Sequence, residues 1–335
     1  MSPYIRNLWY MAGWAQDVPD GKVLARTFLD RPWILLRKRD GTYAMLADRC
    51  PHRFVALSKG SFDGEIITCA YHGLGFSPEG RCVHSPFGHD TALAASVPSL
   101  PVIERSGILW FWPGDPAAAD PARIPDFTLL DDPRPVARAT LRMDVGFELI
   151  ADNLMDLSHA EFIHRATFGV NGSLMDSGEH KVVTDDSGAI WSNWDMTNAR
   201  PPEWAKPMLG EGALIDQWLH IRWHAPASMA LFIGLARAGT ERRELVVPPM
   251  ANPHILTPET QNSTWYFYTS DPGAEAEDFA RRVFLDEDEP MVKSAAQGMQ
   301  GEDFWALKPL ILPTDAGAVR ARRRLMQLRR EDASA

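Results

Sequence analysis

Along the first third of the chain, apolar residues gather in short runs such as Trp33-Ile34-Leu35-Leu36 and Ile108-Leu109-Trp110-Phe111-Trp112. Asp40-Gly41, Asp63-Gly64 and Glu79-Gly80 punctuate that region. Runs of this length with turn signals between them predict strands, so an all-β domain is expected over 1–118. Pro113, Pro116, Pro121, Pro125, Pro133 and Pro135 then crowd a stretch that suits neither a regular helix nor a central strand. The boundary is placed near 118. Beyond it, apolar positions recur with a helical period over 146–165 and 275–298, while 228–235 and 264–268 read as strands. The second domain, 119–335, is therefore expected to be α+β.

Composition supports two cores. The chain has 335 residues, 45% of them apolar, with 12 Trp and 15 Phe. A formal charge of −10 argues against nucleic acid or an anionic membrane as the main partner, since both select a concentrated basic surface. No apolar run approaches the roughly 18 to 20 residues that span a bilayer. The N-terminus shows no basic segment followed by an apolar one, so a cytoplasmic location is expected. Three cysteines, Cys50, Cys69 and Cys82, are too few and too odd in number for a disulfide scaffold.

Two of these cysteines stand in paired-ligand loops. Cys50-Pro51-His52 and Cys69-Ala70-Tyr71-His72 are separated by sixteen residues. Cys2His2 suits one tetrahedral zinc. It equally suits a two-iron cluster with two Cys on one iron and two His on the other, each loop then giving one ligand to each metal. Gly60 and Gly73 are either turn glycines or points of close backbone approach. Cys82 reads as core and His84 as a surface or loop residue.

A second constellation runs from Asp152 to His164, where polar groups interrupt an apolar helical stretch. Asp152, Asp156 and His159 share one face of an α-helix. His159 and His164, five apart, stand about 140° apart on an ideal helix, so both reach one ion only if the helix bends or ends between them. Among the acids of 286–289, Asp288 falls on an apolar stripe with Phe284, Met291 and Ala295, where an unpaired carboxylate is expensive.

Taken together, the chain resembles the Rieske non-haem iron oxygenases, in the monooxygenase subgroup that includes vanillate O-demethylase and dicamba monooxygenase. The resemblance covers nearly the whole chain. It lies in Asn7-Leu8-Trp9-Tyr10, Pro51-His52-Arg53, Tyr71-His72-Gly73-Leu74, Trp112-Pro113-Gly114-Asp115, Asp152-Asn153-Leu154-Met155-Asp156-Leu157 and Ile255-Leu256-Thr257-Pro258-Glu259. It implies a Rieske domain followed by a helix-grip-like catalytic domain with an antiparallel sheet. Cys50, His52, Cys69 and His72 would hold a Rieske 2Fe-2S cluster. His159, His164 and Asp288 would hold a mononuclear Fe(II) with positions open to O2. Asp156 would bridge His72 of one subunit to His159 of its neighbour in a homotrimer, with Asp152 and Asn153 close to the iron.

The implied reaction is O-demethylation of a methoxylated aromatic acid with release of formaldehyde, fed by a separate NAD(P)H-dependent reductase or ferredoxin. Ring hydroxylation, or a Rieske electron carrier without oxygenase activity, are the alternatives. His254 matches a substrate-holding His of dicamba-type enzymes, although Leu231 stands where a partner Asn is expected. Trp218, Trp223 and Phe279 are candidates for an aromatic pocket. The basic segment 320–330 reads as a helix face, a subunit contact or a reductase contact.

Overall fold

The computed structural model describes residues 3–88, 93–168, 173–202 and 205–334. It divides into two compact units, Met1–Asp132 with Thr257–Gln261 and Asp332–Ala335, and Pro133–Leu256 with Asn262–Glu331.

The first unit is built of strands. β1 (Tyr10–Trp14), every residue of it buried, pairs with β11 (Ile108–Phe111), which pairs with β10 (Val102–Arg105). A second sheet runs in the order β2 (Val23–Phe28), β3 (Arg31–Arg37), β4 (Tyr43–Ala47) and β9 (Ser99–Leu100). The third is made of very short strands, β5 (Ser61–Phe62), β6 (Ile67–Thr68), β7 (Gly75–Phe76) and β8 (Cys82–His84). Cys82 packs in the core with Ile34, Leu46, Leu57 and Phe76, and His84 is an exposed strand residue. Proline crowding forms capped turns in which Asp115 and Asp120 accept from the N–H of Ala117 and Ala122, with Pro116 and Pro121 at the first helical positions. The Trp9 indole N–H donates to the Asp120 carbonyl, and Arg123 donates to the carbonyl of Asn7 and lies over Trp112. These contacts carry the first unit past residue 118 to Asp132.

The second unit is α+β. Its seven-stranded sheet runs β12 (Ala137–Met143), β18 (Ser263–Ser270), β17 (Leu245–Thr260), β16 (Ser228–Arg237), β15 (Ile215–His224), β14 (Ile190–Ala199) and β13 (Gly178–Thr184). Strict alternation gives β15 one buried face, Ile215, Gln217, Leu219, Ile221 and Trp223. The same face takes the helices: the Ser192 hydroxyl donates to the Met155 carbonyl, and that of Thr264 to the Val145 carbonyl.

The 146–165 helix is interrupted. α1 (Phe147–Met155) stops at Asp156, a 3-10 turn covers Leu157–His159, and α2 (Ala160–Ile163) ends at His164. α3 (Ala274–Arg282) passes through a π turn, Val283–Asp288, into α4 (Glu289–Met299). The π turn rotates the buried stripe. It runs Val283, Phe284, Asp288, Val292, whereas Met291 and Ala295 are exposed, unlike the uninterrupted α period expected. α5 (Ala316–Ser334) closes the unit. Among the described residues, no helix is long and apolar enough to cross a membrane.

Candidate metal centres

In the first unit the two Cys/His loops have the same backbone plan. The Cys50 N–H donates to the Val55 carbonyl and the Phe54 N–H to the Cys50 carbonyl; five residues apart again, Cys69 donates to Leu74, and Gly73 to Cys69. The residue four beyond each Cys is left-handed, Phe54 at φ 59° and Gly73 at φ 69°. Both loops therefore turn their Cys inward and their His outward. Cys50 and Cys69 are buried and reduced, and burial, with the neighbouring Cys69 thiol, pushes the Cys50 thiol up. The rings of His52 and His72 meet edge to face at 4.5 Å.

One zinc would need its ligand atoms clustered round a single point. Among the described residues, no three of these four atoms lie within 4.8 Å of one another. Thiols together on the inside and imidazoles together outside instead suit a cluster that spaces two metals apart. Gly60 and Gly73 do not donate to it: their N–H groups bond to the carbonyls of Leu57 and Cys69. Gly60 is required because a Cβ there would lie 1.9 Å from the Thr68 carbonyl oxygen.

In the second unit, His159, His164 and Asp288 converge, with one ligand atom from each within 4.8 Å of the others. Asp288 Oδ1 lies 3.5 Å from His159 Nε2 and 3.2 Å from His164 Nε2. Ligands about 2.1 Å from a common ion stand roughly 3 Å apart, so little movement is needed to bind one. The 3-10 turn and the end of α2 are what bring the two histidines together, their rings 5.1 Å apart.

Each imidazole is oriented through its other nitrogen. His159 Nδ1–H donates to the Asp156 carbonyl at 2.5 Å, and His164 Nδ1–H to Glu287 Oε2 at 2.7 Å. Thr167 Oγ1 donates to the same Glu287 oxygen, and Asn153 Nδ2 donates to Asp288 Oδ1 at 2.9 Å. Such partners fix the tautomer that leaves Nε2 free for metal. Burial lowers the His159 pKa against the pull of Asp288. For His164 burial acts downward too, but Asp288 and Glu287 outweigh it and the net shift is upward.

The structure brings Asn153 to the site but turns Asp152 away. Asp152 is gripped by Arg322 of α5, with Nε and Nη2 contacts of 2.6 to 2.9 Å, while Arg322 Nη1 reaches Glu148. The Asp156 carboxylate accepts from Ser158 N–H and from Thr314 Oγ1; only its main-chain carbonyl meets His159 within the chain. His254 is buried, its Nδ1 2.5 Å from the Tyr266 hydroxyl and its ring edge-on to Phe284. Phe279 contacts Phe168, which stacks edge-on against His164. Trp223 is on the buried face, whereas Trp218 lies on the other, under Arg242, and does not line the site. Glu287, Tyr266 and Thr314 were not foreseen; Glu287 was hidden among four consecutive acids whose facing depends on the π turn.

A paired Cys/His β domain joined to a helix-and-sheet unit with a two-His, one-carboxylate site defines the Rieske non-haem iron oxygenases, and the chain belongs to that family. Residues 8–101 match the Rieske [2Fe-2S] domain, and 143–331 match the vanillate O-demethylase oxygenase C-terminal domain. The chain is 35% identical to the oxygenase component of dicamba O-demethylase from Stenotrophomonas maltophilia, over 99% of both chains. It is similar to the crystal structure of dicamba monooxygenase bound to dicamba, with a TM-score of 0.86, 34% identity and 99% coverage of both chains. A crystal structure of that enzyme with non-haem iron and dicamba matches at a TM-score of 0.78 and 33% identity, again over 99% of both. The protein is thus the oxygenase component of a Rieske system, with a 2Fe-2S cluster and a mononuclear iron as cofactors.

Proposed function

We propose that the protein demethylates a methoxylated aromatic compound as a cytoplasmic homotrimer, with electrons from a separate NAD(P)H-dependent reductase or ferredoxin. The observation that carries this reading is the His159, His164 and Asp288 set, whose ligand atoms lie within 4.8 Å of one another; an ion held by these three would keep its other positions for O2 and substrate chemistry. A ferrous ion bound there supplies the centre at which O2 is reduced and the methoxy carbon oxidised.

The chain's own groups do the rest. Cys50, Cys69, His52 and His72 hold the cluster that receives electrons. Asn153 pins the Asp288 oxygen, while Glu287 and the Asp156 carbonyl keep both imidazoles facing the ion. The Asp156 carboxylate, half-buried, bridges to His72 of the neighbouring subunit. His254 holds the substrate. The reaction balances as ArOCH3 plus O2, two electrons and two protons giving ArOH, formaldehyde and water.

The test is product analysis with a Rieske reductase and a panel of methoxylated arenes. Formaldehyde and a phenol in equal amounts, with matching O2 uptake, are expected. A cis-diol without formaldehyde would make this a ring hydroxylase. Cluster reduction without O2 uptake would make it an electron carrier.

A further inference from the structure

The substrate of this demethylase must lie beside His159, His164 and Asp288, and the neighbouring wall is the buried face of the seven-stranded sheet. Three successive cross-strand rows of that face begin at Ile190, Ser192 and Trp194 on β14 and end at His254, Asn252 and Met250 on β17. None of their residues is Asp, Glu, Lys or Arg. The face continues on β18 with Tyr266 and Tyr268, opposite Leu141 and Ala139 of β12. Arg138 and Arg142 on β12 and Arg222 on β15 alternate onto the other side, Arg222 lying over Trp191 and Phe232. Arg237 of β16 has the alternation of this face but stands exposed at the strand end opposite Ile215, beyond the three rows, where it pairs with Glu244.

Charge balance at the iron points the same way. Asp288 and the Glu287 bonded to His164 together match the two charges of a ferrous ion, leaving no surplus cation for a substrate anion. An aromatic carboxylate seated here would lose its hydration without gaining a counter-charge.

What the face does offer is a buried hydrogen-bonding atom without a partner, His254 Nε2. Its ring is 6% exposed, and its Nδ1 meets the Tyr266 hydroxyl. His254 Nδ1 and the Tyr266 hydroxyl share one hydrogen bond; with the hydroxyl as its donor, the proton of the neutral imidazole sits on Nε2. Burial holds that imidazole neutral, its pKa pushed down to about 4. Phe284, on the same π turn as Asp288, stands edge-on to His254 at 5.8 Å and places this donor beside the iron site.

We propose that the substrate is an uncharged aromatic ether, held by donation from His254 Nε2–H to an oxygen acceptor on its ring, in preference to the matching aromatic carboxylate. The proposal rests on the demethylase reading and narrows its substrate class. Leu231, in the middle row, and Asn252, at its end, add apolar surface and a neutral amide, neither of which compensates a carboxylate's charge.

Binding separates this from the demethylase reading itself. The iron-loaded protein is titrated anaerobically at neutral pH by calorimetry with the three isomeric methoxybenzamides and the three methoxybenzoates. At least one amide is expected to bind roughly tenfold or more tightly than its acid isostere. His254→Phe is expected to weaken that amide by about tenfold and to leave the acids unchanged. Acids binding as tightly as amides, no measurable binding by any of the six, or an amide affinity that survives in folded His254→Phe would each overturn the proposal. The wild-type amide-to-acid ratio decides the matter even if the variant does not fold. Amides that bind as expected but release no formaldehyde would sink the demethylase and leave the anchor standing.

Discussion

His164 lies between two carboxylates, and the nitrogen each one meets decides its work. Asp288 faces Nε2 and is free to share an ion with it; Glu287 accepts the hydrogen bond from Nδ1–H and raises the basicity of the ring. Glu287→Ala should therefore weaken iron binding by roughly 10–100-fold while leaving the cluster's visible spectrum unchanged, as measured by competition with a chelator. Unaltered iron affinity would reduce Glu287 to a structural contact. At this scale the cluster loops were legible because Cys and His at such spacing have few other uses. Asp288 is legible as an acid on an apolar stripe; it is buried in the fold, although Met291 and Ala295 of that stripe are exposed. Glu287 was not legible, since its facing is set by one extra residue in a helical turn that no α period reveals.

The helix that leads into the histidine-bearing turn, α1, is tied to the last helix of the chain. Arg322 of α5, itself buried and lying 4.0 Å from the Phe304 ring centroid, pairs with Asp152 and Glu148 of α1, and Arg329 bonds Glu148 as well. Burial pushes the Asp152 pKa up to about 6 despite Arg322. Because the folded value lies above the ordinary 3.8, the stability that protonation of Asp152 contributes is complete below 3.8 and is lost as pH rises through 6. Arg322→Met should consequently destabilise by about 3–5 kcal/mol at pH 8, where it strands a buried carboxylate, and by clearly less at pH 5. Urea unfolding at the two pH values checks this; an equal loss at both would mean that Arg322 acts through packing alone. The basic run 320–330 was readable as a helix face, but its partners lie some 170 residues away and carry no local signal. The break in the 146–165 helix was legible as a necessity, because only a bend or an end lets His159 and His164 meet, yet its form as a 3-10 turn was not.

For the whole molecule, the fold class was readable from the change of hydrophobic period, from short β runs to a mixture of helices and strands. The proline-rich stretch announced the junction, but the bonds from Trp9 and Arg123 that extend the first unit to Asp132 depend on tertiary contacts. A cluster and an iron in separate units must exchange electrons, and the Asp156 carboxylate is the proposed link between subunits. Asp156→Asn should leave both metals bound and the cluster reducible while turnover falls by about a hundredfold or more, on the scale of removing an essential positioned group. Wild-type turnover would exclude the bridge.

The most direct measurement of the two-centre account is iron content with the visible spectrum, on wild type and His159→Ala expressed and purified anaerobically with iron. About three irons per chain are expected in a red-brown wild type, falling to about two in the variant with the cluster spectrum intact. A wild type holding only about two irons, unchanged by the substitution, would contradict the mononuclear site and leave an electron carrier in its place.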